Sequence, residues 1–299
     1  MISYFDLRTD RYPIPCKLYL PEETTLKGVI LGVHGFVGDK ESSALAMLGE
    51  AANRQGVALL CFDFPAHGTS AASERELTIE NCMRDILFMA DYIRTTFPTV
   101  DRCIFATSFG GYLALLCADH LTDFSISLRA TAVTMPENIL VDILETTPDD
   151  FKQCGFIECG YERKIKLPYS FYEELQLHRV MDGDYHQPML IIHGDRDAVV
   201  PRTDIRRFCS DHPTMRLVSI DGADHRFKNE GELEKPISAA MGFWSENNGL
   251  KPNFRRAAAT KQRQVFSDRE NCADGHPKVH TSPEQLRISD NCNIRLLKQ

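Results

Sequence analysis

The segment Ala106-Thr107-Ser108-Phe109-Gly110-Gly111 places a serine among small residues, where an apolar run gives way to a helical pattern. A sharp turn at such a junction lifts a serine hydroxyl clear of a sheet. Small residues two positions on either side leave room for the neighbouring backbone. The pattern therefore predicts that Ser108 is a nucleophile for acyl transfer. The alternative is a serine that only caps the helix beginning at Phe109.

A serine nucleophile needs a base to take its proton, and the base needs a carboxylate to orient it. The segment from His193 to Pro201 supplies the carboxylate, since it follows the apolar run Met189–Ile192 and leads into a helical pattern. Two aspartates compete for this role. Asp195 directly follows a turn glycine and is expected to hold the loop through local backbone hydrogen bonds. Asp197 lies further out, within reach of an imidazole, and we assign the acid to it.

The base is predicted to be His225, in the segment Gly222-Ala-Asp-His-Arg-Phe227 after the apolar run Met215–Ile220. A single histidine is more often a packing residue than a catalyst, so its position decides. The order serine, aspartate, histidine, each on a loop after a strand, is that of the α/β-hydrolase triad. Of the ten histidines in the chain, His225 alone occupies the required loop. Asp224 beside it is expected to be a solvated loop residue.

Two backbone N–H groups are predicted to stabilise the oxyanion that forms during acyl transfer. One belongs to Phe109, which directly follows the nucleophile and begins a helix, so the helix dipole also helps. The second belongs to Phe36, in the loop His34-Gly35-Phe36-Val37-Gly38 that follows the apolar run Val29–Val33. A His-Gly turn lets the backbone of this loop approach a substrate closely.

Two further histidines lie close to these motifs. His34 is expected to brace the loop that carries Phe36 rather than to react. His67, in the segment Asp63–Ser70, suggests a metal ligand, but no second ligand at helical spacing accompanies it. We interpret that segment as a structural turn near the site. The sequence therefore indicates neither a metal nor a cofactor.

The elements that must position these motifs alternate between strands and helices. An antiparallel pair of strands comes first, and repeated strand–helix units follow, which predicts an α/β fold with a mostly parallel sheet and helices on both faces. Ligands bind such sheets at the carboxyl ends of the strands, where every candidate residue lies. The predicted strands are Ile2–Leu7, Ile14–Leu20, Gly28–His34, Val57–Asp63, Asp101–Thr107, Ser125–Thr134, Met189–His193 and Met215–Ile220. The predicted helices are Lys40–Gln55, one capped by Thr78, Phe109–Leu121, one beginning at Pro201, and Leu233–Asn247.

Two segments break this alternation. Residues 135–187 contain seven aromatic and eleven acidic residues between two predicted strands, and we expect them to form a cap over the site. Residues 249–299 have no sustained periodicity and few aromatic residues, so they are predicted to be a disordered extension that is dispensable for activity. Residues 1–248 are predicted to form one domain, the cap included.

Charge and hydropathy argue against several classes of partner. Residues 250–299 carry ten Lys/Arg and five Asp/Glu, and the whole chain has a net charge of -8, which leaves -13 for residues 1–249. An acidic body argues against nucleic acid and anionic membranes as partners, and the scattered charges of the tail do not favour a polyanion-binding arm. No apolar run is long enough to span a membrane. Without a secretory signal, the singly placed cysteines predict unpaired thiols in the cytoplasm.

Taken together, these motifs make residues 1–248 resemble the α/β-hydrolase family. Within that family the chain is most similar to the compact bacterial cinnamoyl (feruloyl) esterases. Those enzymes share the His-Gly-Phe loop, the Asp-Phe-x-x-His-Gly-x-Ser turn, the Gly-Ala-Asp-His ending and a short cap between the sixth and seventh strands. Two residues depart from the pattern: Ala106 replaces the usual glycine, and Thr107 stands where those esterases usually have histidine.

The resemblance implies a serine hydrolase that cleaves small acyl or hydroxycinnamoyl esters through an acyl-enzyme, without a cofactor. A peptidase, a monoacylglycerol lipase or a thioesterase uses the same triad, because a fold does not determine the substrate. A non-catalytic ligand-binding protein of the same fold is a further alternative. The expected partner is a small-molecule ester, and the oligomeric state, a homodimer included, stays open.

Overall fold

The computed structural model describes residues 1–22, 26–140, 144–160 and 163–247. Within these ranges the strands are β1 (Ile2–Arg8), β2 (Pro13–Tyr19), β3 (Gly28–Val33), β4 (Val57–Phe62), β5 (Asp101–Thr107), β6 (Ser125–Arg129), β7 (Phe156–Cys159), β8 (Ile165–Pro168), β9 (Met189–Gly194) and β10 (Met215–Ile220). The α-helices are α1 (Ser43–Asn53), α2 (Ile79–Thr96), α3 (Phe109–Leu116), α4 (Met135–Asn138), α5 (Pro148–Cys154), α6 (Tyr169–Leu175), α7 (Arg202–Asp211) and α8 (Glu234–Asn247).

Eight of these strands form one sheet, in the order β1-β2-β4-β3-β5-β6-β9-β10. The first two are antiparallel to each other, and β2 is antiparallel to β4. All later pairs are parallel. The predicted α/β fold with a mostly parallel sheet is confirmed. Parallel strands of this kind are covered on both sides, and every residue of β3 and β9 is buried, which explains their continuous apolar sequence.

One predicted strand is longer than the real one. The apolar run Ser125–Thr134 leaves the sheet after Arg129, because Ala130 turns the chain with a φ of +48°. The residues that follow, 131–133, remain buried without belonging to β6. Their apolar character therefore reflects burial beside the site, which periodicity alone does not separate from strand pairing.

Two predicted helices are also shorter than expected. The helix predicted at Lys40–Gln55 begins at Ser43, because the N–H of Lys40 donates to Asp63 Oδ1 (2.8 Å) instead of entering a helix. The helix predicted at Phe109–Leu121 ends as α3 at Leu116 and is followed by a single 3₁₀ turn. In both cases the chain leaves the helix to build a loop against the sheet.

The segment between β6 and β9 leaves the sheet and carries α4, α5, the antiparallel hairpin β7–β8 and α6. The sequence pattern did not predict a hairpin here, because each strand is only four residues long. Only one side of the hairpin is apolar and buried, at Ile165 and Leu167. We call residues 135–187 the cap.

A carboxylate from the cap closes the N-terminus of α2. Glu174 accepts the N–H groups of Ile79 and Glu80, both at 2.8 Å, while the Thr78 hydroxyl accepts the N–H of Asn81 at 3.0 Å. The first N–H groups of a helix have no partner within the helix, and a negative charge there is stabilised by the helix dipole. Thr78 is therefore the N-cap that the sequence predicted, and Glu174 fastens the cap to the sheet domain.

Residues Met1–Trp244 form one compact unit, and the second unit, Ser245–Gln299, is described only as far as residue 247. The predicted disordered extension at 249–299 lies outside the described residues. Among the helices that the structure describes, none is long and apolar enough to cross a membrane.

The antiparallel strands at the start of the chain are tied to α2 through a buried carboxylate. Asp85 has no exposed surface, accepts the Tyr12 hydroxyl on both oxygens (3.0 and 2.9 Å) and accepts Arg11 Nη2 at 2.9 Å. Removing a buried group leaves its former partners unsatisfied, which costs more than the bond itself contributes.

We expect Asp85→Ala to lower the free energy of unfolding by about 3 kcal/mol. The change leaves the buried hydroxyl of Tyr12 and the mostly buried guanidinium of Arg11 without their hydrogen-bond acceptor. Urea unfolding measures this loss. The matched control is Asp91→Ala on the same helix, whose carboxylate is 71% exposed and pairs with Arg94 at 2.6 Å. That variant should lose less than about 1 kcal/mol. Equal losses for the two variants would contradict the assignment.

Candidate active site

The three residues predicted to form a triad meet at the carboxyl edge of the sheet, on the loops after β5, β9 and β10. His225 Nε2 lies 3.0 Å from Ser108 Oγ, and His225 Nδ1 lies 2.8 Å from Asp197 Oδ2. Both distances are those of hydrogen bonds. The structure thus brings Ser108, His225 and Asp197 into one continuous chain of contacts, although they are separated by up to 117 positions in sequence.

The backbone of Ser108 adopts an unusual conformation, with φ +50° and ψ -114°. A non-glycine residue with positive φ is strained and persists only where its surroundings hold it. Here the Ser108 N–H donates to the carbonyl of Arg129 (2.9 Å), and the Ser108 carbonyl accepts the N–H of Tyr112 (3.0 Å). The side chain makes no capping hydrogen bond to α3, which argues against the interpretation of Ser108 as a simple helix cap.

Small residues are required after the serine. A Cβ on Gly110 would lie 2.4 Å from the carbonyl oxygen of His34, a distance that no real side chain tolerates. On the other side, Ala106 is fully buried and its methyl group fits. The departure from the usual glycine at position 106 therefore leaves the turn intact.

Asp197 is oriented by the backbone of its own loop. Its side chain is fully buried, and Oδ1 accepts the N–H groups of Val199 (2.9 Å) and Val200 (2.8 Å). These two bonds leave Oδ2 directed at His225. A fixed carboxylate can hold the imidazole in one tautomer, with its proton on Nδ1.

Asp195, the competing aspartate, has a different partner from the one expected. Local backbone bonds were predicted, but Asp195 Oδ1 accepts the N–H of Gly222 (2.7 Å), 27 residues further along the chain. This bond joins the loop that carries Asp197 to the loop that carries His225. The expectation of a local bond was wrong, because the N–H group that Asp195 accepts belongs to the loop after the neighbouring strand, β10.

Arg129, which the sequence analysis did not single out, lies between the nucleophile turn and the histidine loop. It is only 7% exposed, its Nε donates to Thr107 Oγ1 (3.4 Å), and its Nη1 donates to the Arg226 carbonyl (3.3 Å). Its guanidinium also lies 5.1 Å from the centre of the Phe227 ring. Burial lowers the pKa of Arg129 to about 10, an effect that the nearby charge of Asp197 opposes. The sequence feature that could have identified Arg129 is the presence of a charged residue inside a predicted apolar strand.

The loop that carries Phe36 lies against the nucleophile. A Cβ on Gly35 would be 3.3 Å from the Cβ of Ser108, and the rings of Phe36 and Phe109 are 5.7 Å apart. Among the described residues, the N–H groups of Phe36 and Phe109 have no hydrogen-bond partner. Both predicted oxyanion donors are therefore close to Ser108, with unused N–H groups.

Two buried histidines brace this loop reciprocally. His34 Nε2 accepts the N–H of Phe64 (3.2 Å) from the turn after β4, and His67 Nε2, in that turn, accepts the N–H of Val37 (3.1 Å). Since Nε2 is an acceptor in both rings, each imidazole is neutral with its proton on Nδ1. Burial lowers the pKa of both histidines, that of His67 to about 3. His34 is the brace that the sequence predicted.

The sequence and the fold of the chain are similar to those of known proteins. The family model described as serine aminopeptidase, S33 (Hydrolase_4), matches residues 24–146. The structure of Est1E from Butyrivibrio proteoclasticus with bound ferulic acid is 25% identical, covers 82% of this chain and 99% of its own, and superposes with a TM-score of 0.70. These matches support a serine hydrolase of the α/β-hydrolase superfamily.

Two other relatives differ in the reactions that their names state. The hydrolase is 21% identical over 235 residues to the mouse mitochondrial palmitoyl-protein thioesterase ABHD10, which covers 75% of this chain and 77% of that protein. Its fold also matches the monoglyceride lipase of Saccharomyces cerevisiae, with a TM-score of 0.67, 12% identity and coverage of 82% and 95%. The likeness to the lipase, at 12% identity, shows the fold alone, and neither relative determines a substrate.

The cap of the hydrolase covers the oxyanion side of the site with an aromatic side chain. Phe171, on α6, is 1% exposed and stacks on Phe36 with ring centres 5.9 Å apart. Its ring is also 6.0 Å from that of Phe109. The three rings form an apolar wall beside Ser108. Within the described residues, no group of three or more His, Cys, Asp or Glu side chains is arranged to hold a metal ion.

The glycine requirement of the nucleophile turn leads to a first test. We expect Gly110→Ala to lower kcat/KM by at least about a hundredfold, because the added methyl displaces Ser108 from its partners. Ala106→Gly, the matched change on the other side of the serine, should keep most of the activity. Ester hydrolysis by the two purified variants measures the difference, and an active Gly110→Ala enzyme would contradict the geometry described for the turn.

The neutral His67 leads to a second test. Its pKa is about 3 in the folded hydrolase against an ordinary value of 6.5, so the unfolded chain binds more protons between these two pH values. The contribution of His67 to the free energy of unfolding is therefore fully present above pH 6.5. It falls as the pH drops, by about 1.4 kcal/mol per pH unit. His67→Gln should remove that contribution from the slope between pH 6 and pH 4.

Urea unfolding at several pH values measures this slope. His186→Gln is the control, because the His186 side chain is 81% exposed. A His67→Gln variant with the wild-type slope would show that His67 is protonated in the folded chain.

Proposed function

We propose that this serine hydrolase is a carboxylic-ester hydrolase that acts through an acyl-enzyme on small acyl or hydroxycinnamoyl esters. The observation that carries the proposal is the continuous contact from Ser108 Oγ through His225 to the buried carboxylate of Asp197. In this arrangement the base touches the nucleophile and the acid touches the base, as acyl transfer requires.

Acylation begins when His225 Nε2 takes the proton of the Ser108 hydroxyl as Oγ attacks the ester carbonyl carbon. The carbonyl π electrons move to oxygen, and the N–H groups of Phe36 and Phe109 stabilise the resulting oxyanion. Collapse of the tetrahedral intermediate breaks the bond to the alcohol, which leaves with the proton from His225. The negative charge of Asp197 stabilises the imidazolium while it exists.

Deacylation repeats the same steps with water. His225 takes a proton from water as its oxygen attacks the acyl carbonyl, and the same two N–H groups stabilise the second oxyanion. The bond to Ser108 Oγ then breaks, and the proton returns to Ser108. The carboxylic acid leaves and the starting state is restored. Each step uses only groups of this chain, the ester and water.

The proposed acyl group is supported by two observations. The Est1E structure, at 25% identity, carries ferulic acid, an aromatic acid. In this chain the rings of Phe36, Phe109 and Phe171 pack together beside Ser108, and an aromatic or short aliphatic acyl group would suit such a wall.

A thioesterase is the second candidate, and the likeness to the mouse palmitoyl-protein thioesterase favours it. Thioesters and oxygen esters pass through the same acyl-enzyme, so the triad does not separate them. The leaving group and the length of the acyl chain do. A substrate comparison is therefore needed beside the test of the triad.

Ser108→Ala should abolish covalent labelling by a fluorophosphonate and reduce kcat for p-nitrophenyl butyrate by about a millionfold. Asp197→Asn should reduce kcat by about ten thousandfold, because an amide orients the imidazole wrongly. The control is Asp195→Asn, whose side-chain oxygen can still accept the N–H of Gly222, and it should lose far less activity. Undiminished turnover by Ser108→Ala would refute the proposal.

The substrate class is tested by comparing kcat/KM for methyl ferulate, p-nitrophenyl butyrate, palmitoyl-cysteine thioester peptide, a monoacylglycerol and an aminoacyl p-nitroanilide. We expect the first two to be preferred. A preference of more than about tenfold for the thioester would instead assign a thioesterase. A chain that hydrolyses none of them and resists fluorophosphonate would be a ligand-binding protein.

A further inference from the structure

A cap arginine reaches the turn after β4. Arg163 Nη1 donates to three backbone carbonyls of that turn, those of Gly68 (2.8 Å), Ser70 (2.9 Å) and His67 (3.2 Å). Arg163 lies just before β8, 93 to 96 residues from its partners in sequence. Hydrogen bonds from a charged donor are stronger than those between neutral groups. One side chain of the cap thus holds a whole turn of the sheet domain.

The turn directs its carbonyls to one place because its backbone is tightly curled. Ala66 and Gly68 both have positive φ, +61° and +49°, and the N–H of Ser70 donates to the His67 carbonyl at 2.9 Å. Carbonyl oxygens that converge repel one another unless a cation lies between them. The Arg163 guanidinium supplies that cation and stabilises this form of the turn.

The same turn controls the loop that carries Phe36. The His67 ring is fixed at both nitrogens, by the Pro65 carbonyl (2.8 Å) at Nδ1 and by the N–H of Val37 (3.1 Å) at Nε2. Val37 has a φ of +53°, which a β-branched residue rarely adopts, so its conformation depends on outside support. Since Val37 directly follows Phe36, a displacement of Val37 moves the backbone of Phe36 and with it the Phe36 N–H.

We propose that Arg163 and His67 are positioning residues that aim the Phe36 N–H at the oxyanion, so that the cap takes part in organising the oxyanion site. The inference rests on the proposed function, because it concerns the donor that this function needs. Arg163 stabilises the turn, the turn holds the His67 ring, and the ring holds Val37 in its left-handed conformation. Neither residue touches the reacting atoms.

If Arg163 only held the cap on the sheet domain and had no positioning role, its substitution would have different consequences. A merely structural Arg163 would change stability, or the KM through loss of the cap wall, and leave kcat unchanged. A misdirected oxyanion donor instead weakens the transition state and leaves substrate binding almost unaltered. The kinetic constants therefore separate the two roles.

The test compares Arg163→Met with Arg179→Met. Met keeps the length of the side chain and removes every donor, and Arg179 is a second cap arginine, 51% exposed and paired with Glu137 and Asp182. With p-nitrophenyl butyrate, we expect Arg163→Met to lower kcat by about tenfold to a hundredfold, with KM changed by less than about twofold. Arg179→Met should keep the wild-type kcat.

A boronic acid provides a second readout, because its tetrahedral adduct with Ser108 mimics the oxyanion. Butylboronic acid should bind Arg163→Met more weakly by the same factor as the loss in kcat. His67→Phe, which keeps a ring but removes the acceptor, should show the same pattern. The double variant should lose no more than the worse single variant, because both residues act through one turn.

Losses that multiply in the double variant, or an Arg163→Met enzyme with wild-type kcat and boronate affinity, would overturn the inference while the proposed function stands. A wild-type chain that neither hydrolyses the ester nor is labelled at Ser108 would overturn both. If Arg163→Met does not fold, Arg163→Lys replaces it. The lysine nitrogen lies one bond closer to the backbone than Nη1 of Arg163 and cannot reach the same point between the three carbonyls, so an intermediate kcat is expected, and the wild-type kcat would again overturn the inference.

Discussion

The backbone of Ser108 holds a strained, left-handed conformation, and the rest of the site depends on it. In this conformation the hydroxyl meets His225 on one side and the loop of Phe36 on the other. Strain of this kind costs about 1–3 kcal/mol and must be offset by the surroundings. The Arg129 carbonyl, the α3 backbone and the absence of a side chain at Gly110 provide that support. Ser108 thus presents its hydroxyl to His225 because its neighbours hold the backbone in this conformation.

Burial determines the electrostatics around this turn. The three buried histidines around the site, His34, His67 and His193, all have pKa values lowered by desolvation, so they are neutral hydrogen-bonding groups. Asp197 stays in contact with His225, while the buried Arg129 adds a positive charge behind the triad. Neutral, buried histidines therefore surround the contact between Ser108 and His225.

Polar contacts hold the cap on the sheet domain, and several of them involve elements next to the site. Glu174 closes the N-terminus of α2, and the Tyr112 hydroxyl, on the helix that follows the nucleophile, donates to the His178 carbonyl at 2.7 Å. Arg163 grips the turn that braces the Phe36 loop. Phe171 completes the contact as an apolar wall over both predicted oxyanion donors. Through these contacts, the position of the cap is linked to the positions of the site residues at the carboxyl edge of the sheet.

Much of this could be predicted from the sequence, because local patterns carry it. The predicted bounds of β5 and β10 agree with the structure, and the buried part of β5, residues 103–106, is the continuous hydrophobic segment expected of a strand covered on both sides. The order of Ser108, Asp197 and His225 indicated their convergence, because parallel strands end at one edge. Only the tertiary structure decided that Asp195 bonds Gly222, that Arg129 lies behind the triad, and that Arg163 reaches the turn of His67. Those contacts join segments far apart in sequence, and no spacing or periodicity encodes which distant N–H or carbonyl will face a given side chain once the sheet has formed.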